Sequence, residues 1–306
     1  MNDELTVEGM PVSIHKGLVR ILGLRDEVID HLSHPEAALE EIRKRSLPAD
    51  VLTFLQRLPE TTPKFSYPMQ WDNRAVVEIS TYENWFSSQI HKNTRNKIRK
   101  AERNGVTVEV EAFSDELAAG LVDLFNETPI RRGRPYVYHG WDLGRVKQGW
   151  ATELDRSLWL VAYHERELIG FIKLVVGDGL ARTSGTVAKE AHRDKAPMNA
   201  LLAKAVEVCA SKRIPLLTYG KFTYGREGED SLTAFKRQNG FQSVNVPRYY
   251  VPVSRRGRIG LCLGLHRGLK DVVPGPALRL LLKVRSHWYE ALGGGRMTRS
   301  GGRATA

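Results

Sequence analysis

Three runs in this 306-residue chain carry residue types and spacings that could do chemistry. The first is Arg193-Asp-Lys-Ala-Pro-Met-Asn-Ala-Leu-Leu202, where Arg193 and Lys195 stand just before Pro197, a proline at the favoured first position of a helix. A helix N-terminus offers unpaired N–H donors and a positive dipole end, so two cations ahead of one suit phosphate oxygens. Pro197 itself has no N–H to give. The second run is the loop Arg131-Arg-Gly-Arg-Pro-Tyr-Val-Tyr-His-Gly140. The forks of Arg131, Arg132 and Arg134 suit phosphate or carboxylate, and Tyr136 and Tyr138 offer flat rings to a sugar or peptide. Such density in a loop reads as a substrate-binding surface. The third run is Thr233-Ala-Phe-Lys-Arg-Gln-Asn-Gly-Phe241, where the ordinary reading of Lys236, beside Arg237, is a solvated helix lysine. For a proton leaving an attacking amine, His139, Glu127, Tyr219 and Tyr224 are all able acceptors. Sequence does not rank them.

The first and third runs together resemble the two signature halves of the GNAT superfamily of acyltransferases. There the first half reads Arg-x-x-Gly-x-Gly-x-x-Leu-Leu, and its backbone N–H groups hold the pyrophosphate of acyl-CoA. Here Arg193 and Leu201-Leu202 match, while Ala196 and Met198 stand at the two glycines. The resemblance thus implies a CoA-binding set of Arg193, Lys195, Ala196, Met198 and Asn199. The second half usually reads Tyr-x-x-x-Gly-Phe with the tyrosine as general acid, and Lys236 holds that position before Gly240-Phe241. A Phe-Lys pair there is similar to the FemAB-like branch and its BioF2-like acetyltransferases, which join an activated acyl or aminoacyl group to an amine. The same branch resembles this chain at 93–106, 126–136 and 247–253, so the likeness spans roughly residues 90–254.

That likeness implies a catalytic role for Lys236; Tyr219 and His139, from the unranked proton acceptors above, complete the candidate catalytic set. Lys236 would face the cleft and hold the tetrahedral oxyanion, or a donor phosphate. It implies acyl-CoA as co-substrate with no tightly bound cofactor, and an amine of a cell-envelope or polysaccharide precursor as acceptor. The missing glycines and Lys236 point to a second donor, aminoacyl-tRNA. Ala196-Pro197-Met198 keeps a third reading open: a degenerate, non-catalytic GNAT-fold binding protein.

The elements that must position these residues follow from periodicity. Glu36–Arg45 and Ala49–Leu58 carry helix-like spacing, broken by Pro35, Pro48 and Pro59. Arg74–Ser80 alternates as a short strand; Ser80-x-x-Glu83 then reads as a capping box launching a long helix to about Asn104, ended by Gly105. Beyond it come strand 106–112, helix 114–127, the arginine-rich loop, helix 143–155, and a three-strand meander over 157–188. Helix 197–212, strand 216–219, helix 231–239 and a strand to 253 close the series. The expectation is a mixed α/β, GNAT-like fold. Residues 1–80 form an accessory segment with a helical brace, 81–254 the acyltransferase domain, 255–291 an amphipathic basic tail, and 292–306 a disordered end.

Charge is unevenly spread. The chain carries +11, but residues 255–306 hold eleven Lys/Arg against Asp271 and Glu290, a balance of +9 that leaves +2 for the rest. No basic groove for DNA is expected; for the tail, which carries Trp288 and Tyr289, an anionic membrane surface and the chain's own front segment are equal candidate partners. Cys209 and Cys262 have neither metal nor redox spacing, so no metal site is expected. The acidic start, without an apolar run, implies a cytoplasmic location, with membrane-peripheral contact through the tail.

Overall fold

The computed structural model describes residues 5–131, 134–224 and 231–267. The first part of the chain builds more strand than helix: β1 (Thr6–Val7), β2 (Met10–His15), β3 (Ile21–Leu24), α1 (Pro35–Lys44), β4 (Val51–Leu55) and β5 (Met69–Glu78). The helix-like spacing of Ala49–Leu58 is therefore a strand. Val51-Leu-Thr-Phe-Leu55 is buried at every position, and in so short a run periodicity cannot separate strand from buried helix.

The long helix expected from Ser80 is two pieces. A single turn, α2 (Tyr82–Asn84), is capped by Thr81 rather than Ser80 and runs into a π-turn over Trp85–Gln89. Ile90 is extended, and α3 (Lys92–Arg103) starts afresh with His91 as N-cap. Tertiary contacts impose the break. Trp85 is buried with its Nε1 donating to the Asn239 carbonyl at 3.1 Å, and the His91 N–H donates to the Gln238 carbonyl at 2.9 Å.

From there the expected elements recur, but a small ribbon forms in the arginine-rich loop, the helix from Leu143 stops at Trp150, and a short helix not expected follows residue 254. The order is β6 (Thr107–Glu111), α4 (Asp115–Asn126), the ribbon β7 (Ile130–Arg131) and β8 (Arg134–Pro135), and α5 (Leu143–Trp150). Then come β9 (Ser157–His164), β10 (Glu167–Gly177), β11 (Leu180–Ala188), α6 (Pro197–Ser211), β12 (Leu216–Lys221), α7 (Ser231–Gln238), β13 (Gln242–Pro252) and α8 (Arg255–Cys262). Ser114 caps α4 by accepting the Leu117 N–H at 3.1 Å. Among the described residues eleven strands form one sheet in the order β1-β2-β3-β4-β13-β5-β12-β11-β10-β9-β6. β5, from before residue 80, lies between β13 and β12, so the sheet does not divide there. α3 and α6 cover one face through Ile172, Leu174 and Leu201; α4 and α5 cover the other through Trp159, Val161 and Phe171.

An acidic strap locks the first segment to this sheet. Asp26, Glu27 and Asp30 reach Arg182 on β11 (2.5 Å), Arg74 on β5 (2.9 Å) and Arg156 ahead of β9 (2.6 Å). Arg248 on β13 joins Glu27 (2.6 Å) and the buried Asp72 (2.7 Å). Burial alone would raise the Glu27 carboxyl; the Arg248 bond and the charges of Arg248 and Arg74 outweigh it and hold Glu27 below its ordinary value. At Asp72 burial is likewise outweighed, by Arg74 and Arg248.

Candidate functional site

β11 and β12 are parallel and paired only from Leu180↔Leu216 to Arg182↔Thr218. β11 runs on to Ala188 and β12 to Lys221, so the two strands part in the middle of the sheet. Side chains bridge the gap where the ladder has ended: the Thr186 and Tyr219 hydroxyls are 2.8 Å apart.

On its other side β12 pairs with β5, with a register shift between Thr218 and Lys221 that takes carbonyls out of the ladder. α7 lies over that shift. Thr233 donates to the Phe222 carbonyl at 3.2 Å, and Lys236, one turn on, donates to the Lys221 carbonyl. Lys236 is 0% exposed, which removes the reading of a solvated lysine. Its Nζ lies 5.1 Å from the Tyr219 ring centroid and 4.7 Å from that of Tyr224. Two aromatic faces thus meet a cation withdrawn from water.

α7 is held at its C-terminal end. Thr94 donates to the Gln238 carbonyl at 2.9 Å, Gly240 turns the chain at φ +84°, and Phe241 enters the core. Only a residue tolerant of positive φ makes that turn cheaply, which is what the Gly-Phe pair supplies. Tyr224 forms the outer wall. Its phenol folds back over Gly220 and accepts the Lys221 N–H at 3.3 Å. Gly220 has φ +60°, and a Cβ there would sit 2.5 Å from the Tyr224 oxygen. Asn73 of β5 fixes the same loop by donating to the Thr223 hydroxyl at 2.9 Å.

The loop before α6 is the second part of the site. Ala196 is the N-cap at φ +57°, with no side-chain cap, and Pro197 follows at the first helical position. The backbone thus takes the left-handed turn a glycine would give without strain. Asn199 is 5% exposed and its Nδ2 has no hydrogen-bond partner among the described residues. Met198 packs on the core. Arg193 is exposed, 3.8 Å from Glu190, and the Lys195 ammonium is 3.8 Å from Asp194.

The arginine-rich loop is placed differently. Arg131 donates to the Ala188 carbonyl at 2.8 Å and to Glu127 at 2.9 Å, and stacks over Tyr136 at 4.6 Å. Glu127 in turn accepts the N–H groups of Glu190 and Ala191, both at 2.9 Å. The pair therefore braces the end of β11 against α4. Tyr136 and Tyr138 pack with Phe125, and Tyr138 also with Trp141 and Trp150, on the sheet face opposite Tyr219; burial pushes both phenols above their ordinary value. Arg134 and His139 are exposed, and Arg132 lies outside the described residues.

The structure thus brings Lys236, Tyr219 and Tyr224 together and leaves His139 and the loop tyrosines elsewhere. Thr186, Thr233 and Asn73 belong to the cluster and carry no sequence signal, since each is an ordinary polar residue in a strand or helix. A cavity of about 290 Å³, lined by Glu116, Asp123, Tyr163, Glu167 and Lys189 among others, opens between α4 and the start of β10, away from this cluster. Among the described residues no group of His, Cys, Asp or Glu could hold a metal, and no helix is long and apolar enough to cross a membrane.

No family model and no curated protein matches the sequence. Among solved structures the chain is similar to FemX, with TM-score 0.59 and 9% identity over 85% of this chain and 89% of that one. It is similar to L-PGS from Bacillus licheniformis, with TM-score 0.56 and 15% identity over 87% and 88%. A third likeness is the C-terminal domain of a putative lysylphosphatidylglycerol synthetase from Agrobacterium fabrum, with TM-score 0.55 and 14% identity over 81% and 82%. The fold is the mixed α/β, GNAT-like one.

Proposed function

We propose that this chain transfers an acyl group from an activated donor onto an amine, with the donor carbonyl seated in the gap between β11 and β12. The observation that carries the reading is the buried Lys236 between the Tyr219 and Tyr224 rings, beside that gap. Attack by a neutral amine forms the N–C bond and moves charge onto the carbonyl oxygen. Collapse breaks the bond to the leaving group, which takes up a proton while the nitrogen loses one. A cation fixed in a low-dielectric site serves the oxyanion stage, and one such donor is worth roughly 10²–10³ in kcat. Tyr219, bonded to Thr186, is the hydroxyl best placed to pass a proton, since Glu127 is committed to Arg131 and two backbone N–H groups. Tyr224 covers Nζ and has to lift for the substrate oxygen to reach it.

For the donor we favour acyl-CoA, its phosphates at Arg193, Lys195 and the first turn of α6. Support comes from the left-handed Ala196 and the orphaned Asn199 amide at that turn. A second reading, aminoacyl-tRNA, is favoured by α3, which packs beside α6. Lys92, Lys97, Arg99, Lys100 and Arg103 are exposed there, and none is in an ion pair among the described residues. The acceptor class, an amine of an envelope or polysaccharide precursor, follows the FemAB-like resemblance, and the putative synthetase is named for joining lysine to a phospholipid. Titration calorimetry with CoA, beside a gel shift with aminoacyl-tRNA at two salt concentrations, separates the donors. Acyl-CoA predicts saturable CoA binding weakened at least tenfold in Lys195→Glu. A shift with tRNA alone, steeply salt-dependent, would replace it with the second reading.

A further inference from the structure

α8 is an inside-out helix. On an ordinary surface helix the large apolar side chains face the core and polar ones face water. Here the inner face is glycine. A Cβ on Gly257 would lie 1.8 Å from the Asp50 carbonyl oxygen, and one on Gly260 would lie 2.3 Å from a Val19 methyl. The backbone therefore presses against the segments that lead into β3 and β4, and Ser254 caps it by accepting the Gly257 N–H at 3.0 Å. The apolar residues point outward: Ile259 is 61% and Leu263 62% exposed, one turn apart. Arg255, Arg256 and Arg258 are exposed around them. Arg256 also reaches across to the Leu18 carbonyl at 2.6 Å, which brings the 58%-exposed Leu18 beside the same patch.

We propose that this face docks on an anionic phospholipid surface, with Ile259, Leu263 and Leu18 entering the headgroup layer and the arginines meeting lipid phosphates. Charge decides among occupants. Arg255 and Arg258 are in no ion pair among the described residues, so they repel a cationic partner and attract an anionic one. Residues 268–306 of this chain come directly after and hold seven Lys/Arg against Asp271 and Glu290. That segment carries the same sign as α8 and suits the same partner rather than α8 itself. A second copy would bring arginine against arginine. A surface of apolar residues ringed by cations is the composition of an interfacial helix, and each cation near such a surface raises binding about fivefold.

The test is sedimentation of the full chain with vesicles containing about 30 mol% phosphatidylglycerol and with neutral phosphatidylcholine vesicles. Binding to the anionic vesicles alone is expected. Ile259→Ser with Leu263→Ser should weaken it at least tenfold while the melting temperature stays within about a degree, because exposed apolar groups contribute little to folding. Arg255→Glu with Arg258→Glu should weaken it as much, leaving Arg256 and its Leu18 bond untouched. Wild-type-like binding by the serine pair overturns the proposal. So does a fall of several degrees in its melting temperature, which would mean the patch is covered by the chain itself. Equal binding to neutral vesicles, binding to neither, or a dimer that the serine pair dissolves would each overturn it as well.

Discussion

Ala196 keeps, in an alanine, a conformation that L-residues rarely adopt: φ +57° at the mouth of α6. The left-handed region costs such a residue about 1 kcal/mol relative to glycine. Ala196→Gly should therefore raise stability by about 0.5–1 kcal/mol in urea unfolding, and a loss of stability would show that the alanine methyl matters more than the strain. The two cysteines offer a second check. Burial pushes the Cys209 thiol up to about 12, whereas Cys262 is exposed on α8. One thiol per folded chain should react with a thiol reagent at pH 8, and two in denaturant. Fast reaction of both in the native protein would contradict the packing of α6. At this scale Lys236 and Gly240-Phe241 were legible as a motif, and the role of Gly240 follows from its φ. What was not legible is the company Lys236 keeps. Thr186, Thr233 and Asn73 act through positions that only the parted strands and the β12 register shift bring together.

Among elements, the acidic strap carries the clearest energetic consequence. Arg248 serves Glu27 and Asp72 at once, and losing it leaves two carboxylates buried with less than full compensation. Arg248→Met should cost about 3–5 kcal/mol at pH 7. Both carboxyls are held below their ordinary values, so their contribution is present above about pH 4 and is lost as pH falls through the lower folded values. In Arg248→Met they would instead titrate upward, so the gap from wild type should narrow as acid protonates them. Chemical unfolding at pH 7 and pH 4 measures this, and a gap that widens in acid would refute the assignment. Most elements from Thr107 to Pro252 were readable because turn residues at 164–167 and 177–179 bound the apolar runs of β9–β11, Ser114 caps α4 and Pro197 opens α6, all in agreement with the tertiary structure. Those before Thr107 were less so. β4 is a uniformly buried run, and the π-turn at Trp85 answers to Asn239, more than a hundred residues away.

Across the molecule, one sheet carries both the N-terminal segment and the parted strands. β5 joins the two, since it pairs with β13 and β12 and also supplies Asn73 to the site loop. The surface charge is divided differently from the core: the tail is cationic and the body close to neutral. In the docking proposed above, α8 sets where the protein works and takes no part in its chemistry. The proposed chemistry rests on Lys236 holding the oxyanion of an acyl transfer. Single-turnover acyl transfer to hydroxylamine, a small amine standing in for the acceptor, probes this in wild type and in Lys236→Met with each donor. Methionine fills a similar volume without the charge. The rate should fall about 10²–10³-fold, with donor affinity within about threefold and the melting temperature preserved. A Lys236→Met protein that turns over at the wild-type rate, or a wild type that transfers from neither donor, would rule that role out.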